Sequence, residues 1–172
     1  TYNSAVTLGA TETLATTDSA VEFVSTVDAT LIGLQGLTVN TGTGTVTFGG
    51  AVGGGVTGAL ASLKVTGPTT IGGNVTTTGG QTYNSAVTLG STVTTKSTLG
   101  GTIDFAGTVD GTSAGKQGLT VDTLSLGTVT FGGAVGGSVA LASLSANGAT
   151  TIDGNVTTAG AQTFTSAVTL GN

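Results

Sequence analysis

Any chemistry in this chain has to come from eight carboxylates and three lysines, because the 172 residues include no His, Cys, Arg, Met or Trp. The carboxylates worth weighing as a pair are Glu22 and Asp28, which flank Phe23, and their counterparts Asp104 and Asp110 around Phe105. Two carboxyl groups about 5–9.5 Å apart are what glycoside hydrolysis requires. Six residues along one strand place them roughly 20 Å apart, and no Arg or His stands by to stabilise developing charge. Solvated turn carboxylates are the expected role. Calcium is the next possibility, but the Gly-rich turns such as GGAVGG at residues 49–54 carry no acid, and Asp153 has Gly72 as its counterpart. Without His or Cys, the common zinc and copper sites and the nucleophilic triads lack essential parts. No catalytic residue, metal ligand or cofactor is expected. A phosphate-tracking nucleic-acid surface is excluded by the net charge of -5 and only three cations.

Hydroxyls are the remaining polar resource. Forty Thr and 32 Gly make up about two-fifths of the chain. Thr41, Thr43, Thr45 and Thr47 alternate, as a flat hydroxyl array on one strand face would, and ice binding is the function such an array suggests. Their counterparts Thr123, Ser125, Thr128 and Thr130 are interrupted by Leu124 and Leu126, so a regular lattice is not expected. The Gly-Gly pairs are not followed by a Lys-[Ser/Thr] phosphate signature, and they are expected to be corners.

The elements that carry these residues follow from composition and repetition. Thr and Val favour strands, Gly turns the chain tightly, and all three are poor helix interiors. Apolar runs of four or five residues are far too short for a membrane-spanning helix, so no membrane insertion is expected. The phrase TYNSAVTLG at residues 1–9 recurs unchanged at residues 82–90 and returns as TFTSAVTLG at residues 163–171. Both offsets are 81. Between these marks TVTFGGAVGG at residues 45–54 matches residues 128–137, and TTIGGNVTT at residues 69–77 matches TTIDGNVTT at residues 150–158. The repeat units are 1–81 and 82–162, with a third beginning over 163–172, and residues 1–172 are expected to form one continuous solenoid.

Inside each unit runs a shorter frame, x-Φ-x-small-x-Val, with Φ aromatic or Ile. Its Φ residues are Tyr2, Phe23, Phe48, Ile71, Tyr83, Phe105, Phe131, Ile152 and Phe164. Φ and Val are four apart, so on a strand they share a face, while the small residue between them shares that face or marks a bend. Spacings near 21–27 residues suit one coil of a three-sided solenoid; the 12-residue steps are expected to join two sides of one coil. Stacked coils bring each Φ over the next and close a thin core that no single coil could bury. These positions are the expected structural core ladder, with about three coils per 81-residue unit. The competing architecture is a tandem of β-sandwich modules, which are also of this size.

The phrases TYNSAVTLG, TVTFGGAVGG, ALASLKVTG and TTIGGNVTTTG resemble the repetitive passages of very large bacterial surface and secreted proteins, the filamentous haemagglutinin-like adhesins and autotransporter passengers. The resemblance implies a right-handed parallel β-helix, export to the cell surface or beyond, and a non-enzymatic role as stalk, adhesin shaft or filament subunit. No functional residue is carried over with it. The chain opens and stops inside the same phrase, so flanking repeats of a longer protein, or end-to-end stacking with copies of itself, are the expected partners; a host or cell-surface ligand remains open. The chief alternative is a surface- or carbohydrate-binding module.

Overall fold

The computed structural model describes residues 1–56 and 58–171. Among these the chain forms twenty strands of three to five residues and no helix. Every strand pair is parallel, which removes the tandem sandwich, whose sheets are antiparallel. The strands stack into three faces of a β-solenoid of about seven turns.

Face I consists of Val21–Phe23, Val46–Phe48, Thr69–Ile71, Val87–Leu89 and Val109–Gly111, continued by single bridges from Tyr2 to Phe23 and from Val109 through Val135 to Val156. Face II begins with Val6–Leu8 and Val27–Ala29. It passes through bridges at Val52, then runs through Val75–Thr77, Val93–Ser97, Leu119–Asp122, Leu144–Asn147 and Gln162–Phe164. Face III is an unbroken eight-stranded sheet from Glu12–Ala15 through Leu37–Asn40, Leu63–Thr66, Gln81–Tyr83, Ile103–Phe105, Thr128–Phe131 and Ala149–Ile152 to Val168–Leu170. Coils are numbered below by their strand on face III. At about 4.8 Å per strand spacing, the seven steps from coil 1 to coil 8 span roughly 34 Å.

The shortest coil is 18 residues, as in the pairing of Leu63 with Gln81, and the longest on this face is 26, as in Leu37 with Leu63. Six residues therefore suffice for one side: three in the strand, three in the corner. The first and third residues of a strand point inward and the middle one outward, so the burial alternates. The longer coils are made by loops inserted at corners, which leave the strand register intact.

The Φ frame is the corner itself. Phe48 ends a face I strand and Val52 lies on face II; Tyr83 ends a face III strand and Val87 starts one on face I. Φ and Val both point into the core, but from adjacent faces, and the small residues between them make the bend. Stacking requires them to be small. A Cβ on Gly73 would come within 2.5 Å of the Gly50 carbonyl carbon in the coil below, and one on Gly107 within 2.5 Å of that of Ser85.

The unit contains three whole coils and two further faces. Tyr2 therefore begins the first unit on face I, Tyr83 the second on face III, and Phe164 the third on face II. The expected single ladder is thus divided. Tyr2, Phe23 and Phe48 stack on face I with centroids 5.0 and 5.4 Å apart, and Ile71 continues them. Tyr83, Phe105 and Phe131 stack on face III at 5.0 and 5.6 Å, continued by Ile152. The 12-residue steps from Ile71 to Tyr83 and from Ile152 to Phe164 are the places where the series changes face. Phe23, Phe48, Ile71, Tyr83, Phe105 and Phe131 are buried; Tyr2 and Phe164, in the first and last coils, are exposed and half-buried.

Candidate functional site

The fold allows each three-residue strand one outward side chain, and these single files hold most of the polar chemistry. On face I the file reads Glu22, Thr47, Thr70, Thr88, Asp110. On face III it reads Thr13, Thr38, Lys64, Thr82, Asp104, Thr130, Thr151, Thr169. Thr files are thus real, but one residue wide and broken by charges. The alternation of Thr41, Thr43, Thr45 and Thr47 does not form a strand face. Residues 41–45 are a corner, with Gly42 at φ +57° and Gly44 seated on the Ser19 backbone. Thr41 is buried there, its hydroxyl donating to the Gly44 carbonyl at 2.5 Å, and only Thr47 is in a strand. In the second unit Leu124 and Ser125 take positive φ at the equivalent corner, which likewise removes Ser125 from any strand.

The carboxylates are tied into the scaffold. Glu22 and Asp28 are separated by a corner and lie on faces I and II, not along one strand; Asp104 and Asp110 lie on faces III and I. Asp28 accepts the Gly55 N–H at 2.9 Å, and Asp110 accepts those of Ser138 and Val139 at 2.9 and 3.0 Å. Each holds the long loop of the coil above. Asp18 accepts the backbone N–H and hydroxyl of Thr43 at 2.8 and 3.0 Å, and these bonds hold its carboxyl below the usual range. Asp104 has no such partner, and partial desolvation raises its carboxyl. Among the described residues no group of three or more carboxylates is placed to hold a metal ion.

The densest polar cluster lies on face II. Lys96 Nζ sits 3.0 Å from Asp122 Oδ2, while Asn147 Nδ2 and the Leu124 N–H both donate to Asp122 Oδ1 at 2.9 Å. Ser125 and Thr165 hydroxyls then donate to Asn147 Oδ1. Partial burial pushes the Asp122 carboxyl up, but the Leu124 N–H and the Lys96 ammonium outweigh it and hold the group below its ordinary value. The cluster has no nucleophile and no base left free. It is a polar ladder that binds coils 5 to 8 to one another.

The chain's four glutamines were not singled out by motif, yet Gln35, Gln81 and Gln117 are buried anchors, and Gln162 repeats the pattern while exposed in the last coil. Gln35 Oε1 accepts the Leu31 N–H at 3.1 Å, and Gln117 Oε1 that of Ser113 at 3.0 Å, so equivalent loops of the two units are closed in the same way. Gln81, fully buried, donates to the Lys96 carbonyl at 2.9 Å and the Thr77 hydroxyl at 3.2 Å and accepts the Tyr83 hydroxyl at 3.1 Å. Gln162 makes the same bond to Thr158 at 3.3 Å in the last coil. The signal was a rare polar type occurring at equivalent places in both units.

Concavities occur at the two ends of the stack, one over Tyr2, Leu8 and Leu14 and one beside Gln162, Phe164 and Leu170. They expose ladder positions, and among the described residues each is lined by a single charged group, Glu12 in the first and Asp153 in the second. No family model, curated protein or solved structure matches the chain.

Proposed function

We propose that this chain is a non-enzymatic shaft segment of an extracellular bacterial fibre or adhesin, the passenger-like repeat that its phrases resemble. The observation that carries the reading is the fate of the polar side chains. The best-placed carboxylates bind backbone amides or a neighbouring lysine, and the glutamines seal loops and core. A surface committed to holding coils together has little left with which to turn over a substrate. The phase of the repeat supports the same role, because each 81-residue unit adds three and two-thirds coils to the same stack without interrupting the face III sheet.

The partners proposed with this role are further coils, either flanking repeats of the same protein or copies stacked end to end. Gln162 repeats the Gln81 bond to a threonine hydroxyl in the last coil, and Val168 and Leu170 occupy core-facing register positions while exposed. Electron microscopy of the purified chain tests end stacking: narrow fibres of uniform width at rising concentration are expected, and discrete particles at every concentration contradict it. Turnover of any member of a polysaccharide panel would overturn the non-enzymatic reading. Labelling of unpermeabilised source cells by an antibody to the chain tests the surface location.

A further inference from the structure

The exposed alkyl side chains of this protein are gathered on one edge. Eleven large hydrophobic residues are exposed among the described residues; Tyr2, Val168 and Leu170 belong to the end coils. Six of the remaining eight, all but Val24 and Val56, lie at the corner between faces II and III, and Val56 is carried on a loop inserted into face II between Val52 and Leu60, next to that corner. Coil 2 contributes Leu31, Ile32 and Leu34, from a loop whose Gly33 N–H bonds the Ala59 carbonyl in the coil above. Val56, in the next coil, is 99% exposed. Leu99 of coil 5 and Leu126 of coil 6 are each 76% exposed, with Leu124 beside the latter. Backbone bonds from Thr78 to Leu60 and from Leu99 to Thr78 place these segments in one column.

Repetition does not explain this row. Each unit advances the stack by three and two-thirds coils, so equivalent loops of the two units fall on different corners. The loop TLIGLQG at residues 30–36 has TSAGKQG at residues 112–118 as its equivalent, and that copy sits between faces I and II. There Ser113, Ala114 and Lys116 replace Leu31, Ile32 and Leu34. Conversely, Leu124 occupies the place of Gly42, which lies between faces III and I in the first unit. Alkyl groups at unrelated positions of the repeat share one edge in space; the counterparts of Leu31, Ile32, Leu34 and Leu124 on the other corners are small or polar, whereas Val56 has an alkyl counterpart, Val139.

We propose that this edge is the lateral contact between two copies of the chain, paired antiparallel. The choice of a second copy follows from shape, charge and area. The row is straight and parallel to the axis, roughly 20 Å long over four coil steps, and the same row on another rod is its natural complement. None of the eleven charged residues lies in the corner segments 30–36, 78–80, 98–102 or 123–127; the charges that border the edge are Asp28, bonded to the Val56 loop, and the Lys96–Asp122 pair beside Leu124, which neutralise each other, so most of the net charge of -5 lies elsewhere. The exposed side chains amount to several hundred Å², approaching the roughly 800 Å² that a standard specific interface takes from each partner. The antiparallel sense follows from the distribution. Alkyl groups occupy this corner in coil 2 and again in coils 5 and 6, with Val56 on the adjoining face II loop of coil 3, about a centre at Thr78-Gly79-Gly80 in coil 4, where small residues permit close approach. A two-fold axis at that centre lays coil 2 of one copy against coil 6 of the other.

This inference rests on the shaft reading and gives the shaft a way to bundle. The test is the solution mass of the 172-residue chain against a variant carrying Leu31→Ser, Ile32→Ala and Leu34→Lys. That variant replaces the loop with the second unit's own version, which closes on the same Gln–amide bond, so folding is expected to survive and circular dichroism checks it. By sedimentation equilibrium at roughly 0.1 mM, within reach of a contact of this size, the unaltered chain is expected to pair and the variant to run at 16.2 kDa. A monomeric parent chain, or a folded variant that still pairs, overturns the proposal. Orientation is read by mixing single-cysteine chains, Ile32→Cys with Leu126→Cys, in a protein that has no cysteine of its own. Mixed disulfides are expected; like-with-like disulfides alone would overturn the antiparallel sense. A monomer that keeps its rod shape refutes the pairing and leaves the shaft reading standing.

Discussion

The buried Gln81–Tyr83 pair offers the sharpest internal test of how this thin core is held. Both side chains are fully buried, and the tyrosine hydroxyl has the glutamine carbonyl as its partner at 3.1 Å. Tyr83→Phe leaves Gln81 Oε1 desolvated and unpaired, a loss of about 1–3 kcal/mol. Gln81→Leu leaves the Tyr83 hydroxyl in the same position and takes the donor from the Lys96 carbonyl, offset in part by about 1–2 kcal/mol of added apolar burial. The double variant removes both orphaned side-chain groups, and the Lys96 carbonyl, which still lacks its donor, is offset by the added apolar burial. Its leucine stands in register between Leu63 below and Ile103 above, and its phenylalanine still stacks on Phe105. It should therefore lie close to the parent, with a coupling of about 1–2 kcal/mol between the two changes. Urea unfolding followed by far-ultraviolet circular dichroism reads this as a midpoint that falls in each single variant, by up to about 1 M, and recovers in the double. Losses that simply add, to within about 0.5 kcal/mol, would refute the buried pairing.

Three further outcomes are expected. Gly73→Ala forces a Cβ against the Gly50 carbonyl carbon and should cost about 1–3 kcal/mol in the same urea assay, whereas Gly90→Ala, with its nearest neighbours at 3.6 Å, should be neutral or slightly stabilising. Asp104 is raised by desolvation, so its charge opposes folding above the ordinary carboxylate range. Asp104→Asn should raise the thermal midpoint at pH 7 by the equivalent of a few tenths of a kcal/mol, and the gain should vanish as pH falls below that range. Asp122 is held below 3.8, so its pairing with Lys96 stabilises above that value and fades as pH falls through the lowered one. Lys96→Met should cost less than about 1 kcal/mol at pH 7, since both groups are partly exposed, and nothing once Asp122 is protonated.

Much of this architecture is legible in the chain, for a physical reason. A solenoid repeats its local environment, so the residues that fill the core must recur, and Phe23, Phe48, Phe105 and Phe131 announce themselves by their frame. What the frame cannot convey is direction. A step of four positions from Phe48 to Val52 fits a strand or a corner equally well by spacing, and only the close approach of Gly50 and Gly73 in adjacent coils makes the corner the one that packs. The phase of the repeat is hidden for the same reason. An 81-residue period is compatible with any number of sides until 18-residue coils and inserted loops are seen together. The apolar edge is the clearest case, since Leu31 and Leu126 are related by no repeat and share one corner, four coils apart, only through the two-thirds turn left over from each unit. Gln81 shows the converse: it recurs as Gln162, but a lone polar residue at the start of a strand does not reveal whether it faces water or a tyrosine.

Length per repeat tests the shaft most directly. Inserting one or two further copies of residues 82–162 after residue 162 keeps the phrase in frame and adds three and two-thirds coils each time. Small-angle scattering should then show the maximum dimension growing by roughly 18 Å per added copy at constant cross-section, from about 4.8 Å per coil. A cross-section that widens with each copy, or growth in steps of a separate globular domain joined by a flexible hinge, would contradict it.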